Sequence, residues 1–113
     1  MKLNTAIKKI FLALFFLITN NSIAQTMETN MQGLVIKNYK CDLKKWVEGN
    51  LVNRNPEAFV GRLRVKIIDS ENDILWQGTQ NLNVGGQNGV NFGVQVLVGS
   101  CLAPNKVQIT LER

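Results

Sequence analysis

From Arg62 the chain alternates apolar and polar positions with a period of two. Arg62-Leu63-Arg64-Val65-Lys66-Ile67 sets Leu63, Val65 and Ile67 on one side and the basic residues on the other, the pattern of a half-buried strand. Ser70-Glu71-Asn72-Asp73 is wholly polar, and its side chains bond nearby backbone, which turns the chain. The return arm carries Ile74, Trp76, Leu82 and Val84 at even positions. The pattern therefore predicts a hairpin over Arg62–Val84, with one long second arm that bends at Gly78 to switch sheets. A lone hairpin is unstable in water and needs a sheet and a second layer.

The same alternation marks the other strands. Leu34–Lys40 opens after Gly33, and Cys41-Asp42 ends it. Lys45–Arg54 sets Val47, Gly49 and Leu51 against Trp46 and Val52; a mid-strand glycine predicts a bulge or a close backbone approach. Asn55-Pro56-Glu57 begins a connection, because proline cannot donate to a ladder. Gly85-Gly86-Gln87-Asn88-Gly89 reads as a turn where glycine makes positive φ inexpensive. Val90–Val98 places Val90, Phe92, Val94, Val96 and Val98 inward, and Lys106–Arg113 does so with Val107, Ile109 and Leu111. Gln25–Gln32 is polar and aperiodic and reads as a disordered N-terminal tail. No stretch after residue 24 sustains a 3.6-residue period, so almost no helix is expected.

The first residues change the picture of where the protein works. Lys2, Lys8 and Lys9 precede the apolar run Ile10–Ile18, and Ser22-Ile23-Ala24 supplies small residues before a cut ahead of Gln25. That is the layout of a secretory signal peptide over residues 1–24, and the run is far shorter than the ~20 residues that span a bilayer. Cleavage leaves 113 − 24 = 89 residues with a net charge of 10 − 8 = +2. The domain expected over residues 33–113 is small, and a chain of this size gains from an extra restraint. So slight a charge, on an exported chain, gives no reason to expect nucleic acid as a partner.

Cys41 and Cys101 are the only cysteines, and in an oxidising compartment they are expected to pair. The bond also counts strands. Alternate connections of an antiparallel chain lie at the same end. With Ile74–Val84 as one strand, Cys41 falls in the first of five connections and Cys101 in the last, so the sulfurs share a pole. The expected architecture is an all-β, immunoglobulin-like antiparallel sandwich of six long strands, with a seventh only as a jog.

Val47-Glu48-Gly49-Asn50-Leu51-Val52-Asn53 resembles the V-x-G-x-V-x-N strand of the FxLYD domains, small immunoglobulin-like modules of exported bacterial proteins. Val65-Lys66-Ile67-Ile68-Asp69 is similar to their naming motif, with Val65, Ile67 and Ile68 where the family has Phe, Leu and Tyr. The resemblance spans Val47 to Leu111 and implies a sandwich without catalytic residues. A looser likeness, in Phe59-Val60-Gly61-Arg62-Leu63 and the Gln77–Val84 arm, is to the periplasmic sandwiches that restrain curli amyloid subunits.

Candidate chemistry is sparse. Histidine is absent, and Ser70 and Ser100 lack a base to activate them, so no catalytic residue or enzyme activity is expected. Asp69, Glu71 and Asp73 alternate like the start of a calcium loop, but Ile74 and Gln80 stand where that loop needs glycine and a bidentate acid. No metal site and no cofactor are expected. Trp46 beside Lys44 and Lys45 is the first candidate for an interaction surface. Arg62, Arg64 and Lys66, spaced about 7 Å apart, are the second, against the plainer readings of a solvated face or a charged guard on a sheet edge. The expected function is a non-catalytic binding module, periplasmic or secreted, for a protein or cell-envelope partner. The alternative is a chaperone-like inhibitor of an aggregating exported subunit.

Overall fold

A computed structural model describes residues 26–113. The expected signal peptide and its cut lie outside the described residues. Seven strands follow in chain order: β1 Thr26–Glu28, β2 Leu34–Asp42, β3 Trp46–Asn53, β4 Phe59–Ile68, β5 Ile74–Val84, β6 Gly89–Gln95 and β7 Lys106–Glu112. They form two sheets, β1-β2-β3-β6 and β5-β4-β7, with every neighbouring pair antiparallel. The fold is all-β and sandwich-like, with no helix among the described residues.

The alternation explains the core. Leu34, Ile36, Val47 and Leu51 bury one face of the first sheet, and Leu63, Val65, Ile67 and Leu111 bury one face of the second. Period two breaks in β2 between Ile36 and Tyr39, and the structure repairs it with a bulge. Lys37 pairs with Asn50 and Lys40 with Glu48, so two residues oppose Gly49 alone. Asn38 takes a left-handed φ of 58° there, as asparagine tolerates. Tyr39 and Cys41 are thereby returned to the core side, packed against the buried cluster.

Several expectations are corrected. Thr26–Glu28, within the expected tail, is a strand that pairs Met27 with Ile36, and it, rather than a jog at Gly78, supplies the seventh strand. β5 stays on β4 throughout, without switching sheets, and its register shift lies beside the turn, between Ile67 and Ile68. Cys41 lies within β2, not in the connection after it. The bulge is in β2, not at Gly49. A side chain on Gly49 would stand 3.0 Å from the Phe92 ring and 3.2 Å from Ile36, so side chains rather than backbone crowd it. In the glycine-rich turn the positive φ belongs to Gln87. Gly86 is needed because a Cβ there would overlap the Pro56 carbonyl. Val98 points outward, since regular pairing ends at Gln95.

Candidate functional site

Connections 42–46, 68–74 and 95–106 meet at one end of the molecule. Cys41 and Cys101 are bonded there, with Cα atoms 5.9 Å apart, across a sequence separation of 60. The disulfide ties the tip of β2 to the β6–β7 connection. Backbone bonds extend the tie: the Val96 amide donates to the Lys45 carbonyl (2.6 Å) and the Cys101 amide to the Lys44 carbonyl (3.0 Å). Lys45 Nζ donates to the Gly99 carbonyl at 3.2 Å.

The turn between β2 and β3 is unusual in composition. The Lys45 amide donates to the Asp42 carbonyl, and both residues between them, Leu43 and Lys44, have left-handed φ, 54° and 66°. The loop between the paired residues Asp42 and Trp46 is three residues long, and a β-turn with both central φ positive favours Asn-Gly, because a side chain with a Cβ is strained in that region. Here the strained position displays a leucine that is 79% exposed. Around it Trp46, Ile74, Leu75, Leu97, Val98 and Leu102 are also exposed. Of the eight exposed large apolar residues described, only Val60 lies elsewhere. That concentration separates the pole from an ordinary surface, where single exposed apolar side chains are scattered.

Trp46 belongs to this pole with Lys44 and Lys45, as the sequence groups them. Arg62, Arg64 and Lys66 do not. They occupy the outer face of β4, the central strand of its sheet, so they guard no edge. Arg64 holds Glu112 through two bonds, Nε to Oε2 at 2.7 Å and Nη2 to Oε1 at 3.3 Å. Arg62 Nη2 lies 3.3 Å from the same carboxylate. The hydrogen bond from Arg64 holds the Glu112 carboxyl below the usual carboxylate range, and Glu112 in turn raises the Arg64 guanidinium. The basic strip is thus partly neutralised by a residue far from it in sequence.

Ser100 and Asp69, named from the sequence, have structural partners. Ser100 Oγ accepts from the Leu102 amide (3.1 Å). Asp69 Oδ1 accepts from the amides of Glu71 and Asp73, both at 2.9 Å, which makes the acidic stretch a side-chain-supported turn. Among the described residues no group of three His, Cys, Asp or Glu is placed to hold a metal. Burial pushes the Tyr39 hydroxyl upward. The sequence does not group Leu43, Leu97, Val98 and Leu102 with this surface; for Leu43 and Leu102 a large apolar residue inside an expected turn or loop is the available signal, whereas Leu97 and Val98 fall in the expected strand Val90–Val98 and carry none. No protein-family model, curated protein or solved structure matches this chain.

Proposed function

We propose that this chain is an exported, non-catalytic binding module of immunoglobulin-like architecture, periplasmic or secreted, that docks a protein partner on its disulfide pole. Lettering β2 as A makes the two sheets A-B-E and C′-C-F, the neighbour order of immunoglobulin-type sandwiches, which supports that architecture. The leader-like residues 1–24 and the disulfide support export.

One observation carries the functional reading. At Leu43 a strained backbone position is occupied by a solvent-exposed leucine. Local stability favours asparagine or glycine there, and water favours a polar side chain. A residue that opposes both preferences is accounted for by a contact outside the chain. The connections of this pole carry Lys44, Lys45 and Lys106 against Asp42, Asp69, Glu71 and Asp73. So balanced a rim suits a protein surface with an apolar centre better than an anionic envelope polymer.

The test replaces the turn with one that suits its geometry, Leu43→Asn with Lys44→Gly. Relief of the left-handed strain is expected to raise the unfolding free energy by about 1–2 kcal/mol. Cross-linking to proteins exported by the same cells is expected to fall about tenfold or more. A stabilised variant that still captures the same protein at full yield would remove the pole from the function.

A further inference from the structure

The four sheet edges are treated differently. β1 is three residues long and covers β2 only over residues 35–37; beyond it the β2 edge is interrupted by the bulge at Asn38 and tied down by the disulfide at Cys41, so this side is a poor template for a partner. β5 and β6 adjoin at one flank, where Gln80 Oε1 accepts from the Gly93 amide at 3.1 Å. On the other flank β7 ends its sheet, and it is capped at a single point. Asn30 Nδ2 donates to the Leu111 carbonyl (2.9 Å), and Asn30 Oδ1 accepts from the Leu111 amide (2.7 Å). The carboxamide thus makes the donor–acceptor pair that one residue of a neighbouring strand would make.

Because Leu111 turns its backbone groups away from β4, alternation along the strand turns those of Val107 and Ile109 the same way. Among the described residues neither finds a partner there. Their side chains are half-buried against the core, so an added strand has an apolar seam to fill as well as a ladder to extend. In the lettering above, this is the side where strand F of an immunoglobulin sheet meets strand G.

Charge says what kind of strand fits. Strands β4, β5 and β7 carry Arg62, Arg64, Lys66 and Lys106 against Glu112 alone, 4 − 1 = +3. The strands of the other sheet carry Lys37 and Lys40 against Glu28, Asp42 and Glu48, 2 − 3 = −1. The open edge therefore belongs to the basic sheet. We infer that the β7 edge captures an extended segment of a partner protein whose side chains alternate between apolar and acidic, by strand addition at Val107 and Ile109. A second copy is disfavoured, since it would bring two +3 sheets side by side. The inference rests on the reading of the chain as a binding module but uses a different surface, so the two can fail separately.

The test measures amide exchange on the full, disulfide-bonded protein, alone and with a ten-residue peptide alternating valine and glutamate. In the free protein Val107 and Ile109 are expected to exchange about a hundredfold faster than Gln108 and Thr110, and the peptide to slow them about tenfold or more. Val107→Pro removes one outward donor and leaves the β4 ladder intact, so it should weaken the peptide about tenfold. Asn30→Ala should add Leu111 to the protected set. A valine–lysine peptide should bind about tenfold more weakly. Three results would overturn the inference: no protection at saturating glutamate peptide, equal binding of the lysine peptide, or concentration-dependent protection without peptide, which would assign the edge to a second copy. Loss of capture by the turn variant at Leu43 and Lys44, with the edge still protected, would leave this inference standing alone.

Discussion

The two poles of the molecule are closed by different chemistry. At the pole of the glycine-rich turn, Asn53 is the one buried polar residue described, and its carboxamide organises the loops. Its Nδ2 donates to the Glu57 carbonyl (2.7 Å) and the Val84 carbonyl (3.2 Å), while Oδ1 accepts from the Asn55 amide (3.0 Å). Around it the Arg54 amide donates to the Gly33 carbonyl and the Gln87 amide to the Asn55 carbonyl. Thr29 Oγ1 donates to the Leu34 carbonyl and accepts from the Met31 amide. Polar atoms at that end are spent on one another. At the disulfide pole a covalent bond and backbone-to-backbone bonds do the joining, and large apolar side chains are left in water. An end closed by dispersed side-chain hydrogen bonds has little freedom to change its loops, because replacing Asn53 strands several backbone groups at once and replacing Asn55 strands the Gln32 carbonyl. An end closed by a covalent bond and backbone hydrogen bonds can vary its exposed side chains without losing closure, which suits a recognition surface.

The largest test of this contrast is to open each pole in turn. Cys41→Ser with Cys101→Ser frees a loop of sixty residues and is expected to cost about 4 kcal/mol in the chain-entropy account, read from urea unfolding. Amides of 95–106 should exchange fastest, while those around Asn53 follow global unfolding. Somewhat smaller is Asn53→Ala, which strands the Val84 and Glu57 carbonyls and the Asn55 amide. The expected loss is about 3 kcal/mol, with the disulfide intact. If the alanine variant were as stable as the parent, the polar pole would not be held as described.

The smallest effect concerns neither pole but the face between them. Glu112 is held below its ordinary range by Arg64, so its contribution is full above the unfolded value and fades as pH falls through the folded one. Stability should decline on acidification below the ordinary carboxylate range, and Glu112→Gln should flatten that decline while leaving neutral-pH binding to the disulfide pole unchanged. Unfolding midpoints of parent and variant across the acid range would read this; parallel profiles would dissociate the pair from stability.

Much of this was legible in advance for one reason. Side-chain alternation is a local property, and it marks Leu63, Val65 and Ile67 inward whatever they pack against. The six long strands and the pole shared by Cys41 and Cys101 follow from it. The errors fall where the pattern is short or interrupted. Thr26–Glu28 is too brief to carry a period and is a strand only because β2 offers an edge. The bulge at Asn38 is invisible without the partner strand. Val98 keeps the apolar parity but lies beyond the last paired residue, where nothing enforces it.

Spacing along the chain was enough for the all-strand body, its inner and outer faces, and the cysteines that meet at one end, because each of these follows from local periodicity. Tertiary structure alone decided that Glu112 quenches two arginines, that Asn30 plugs the edge of β7, and that Leu43 shares a pole with Leu97 and Leu102. These are relations between residues distant in sequence, and only the pairing of strands brings them within reach of one another.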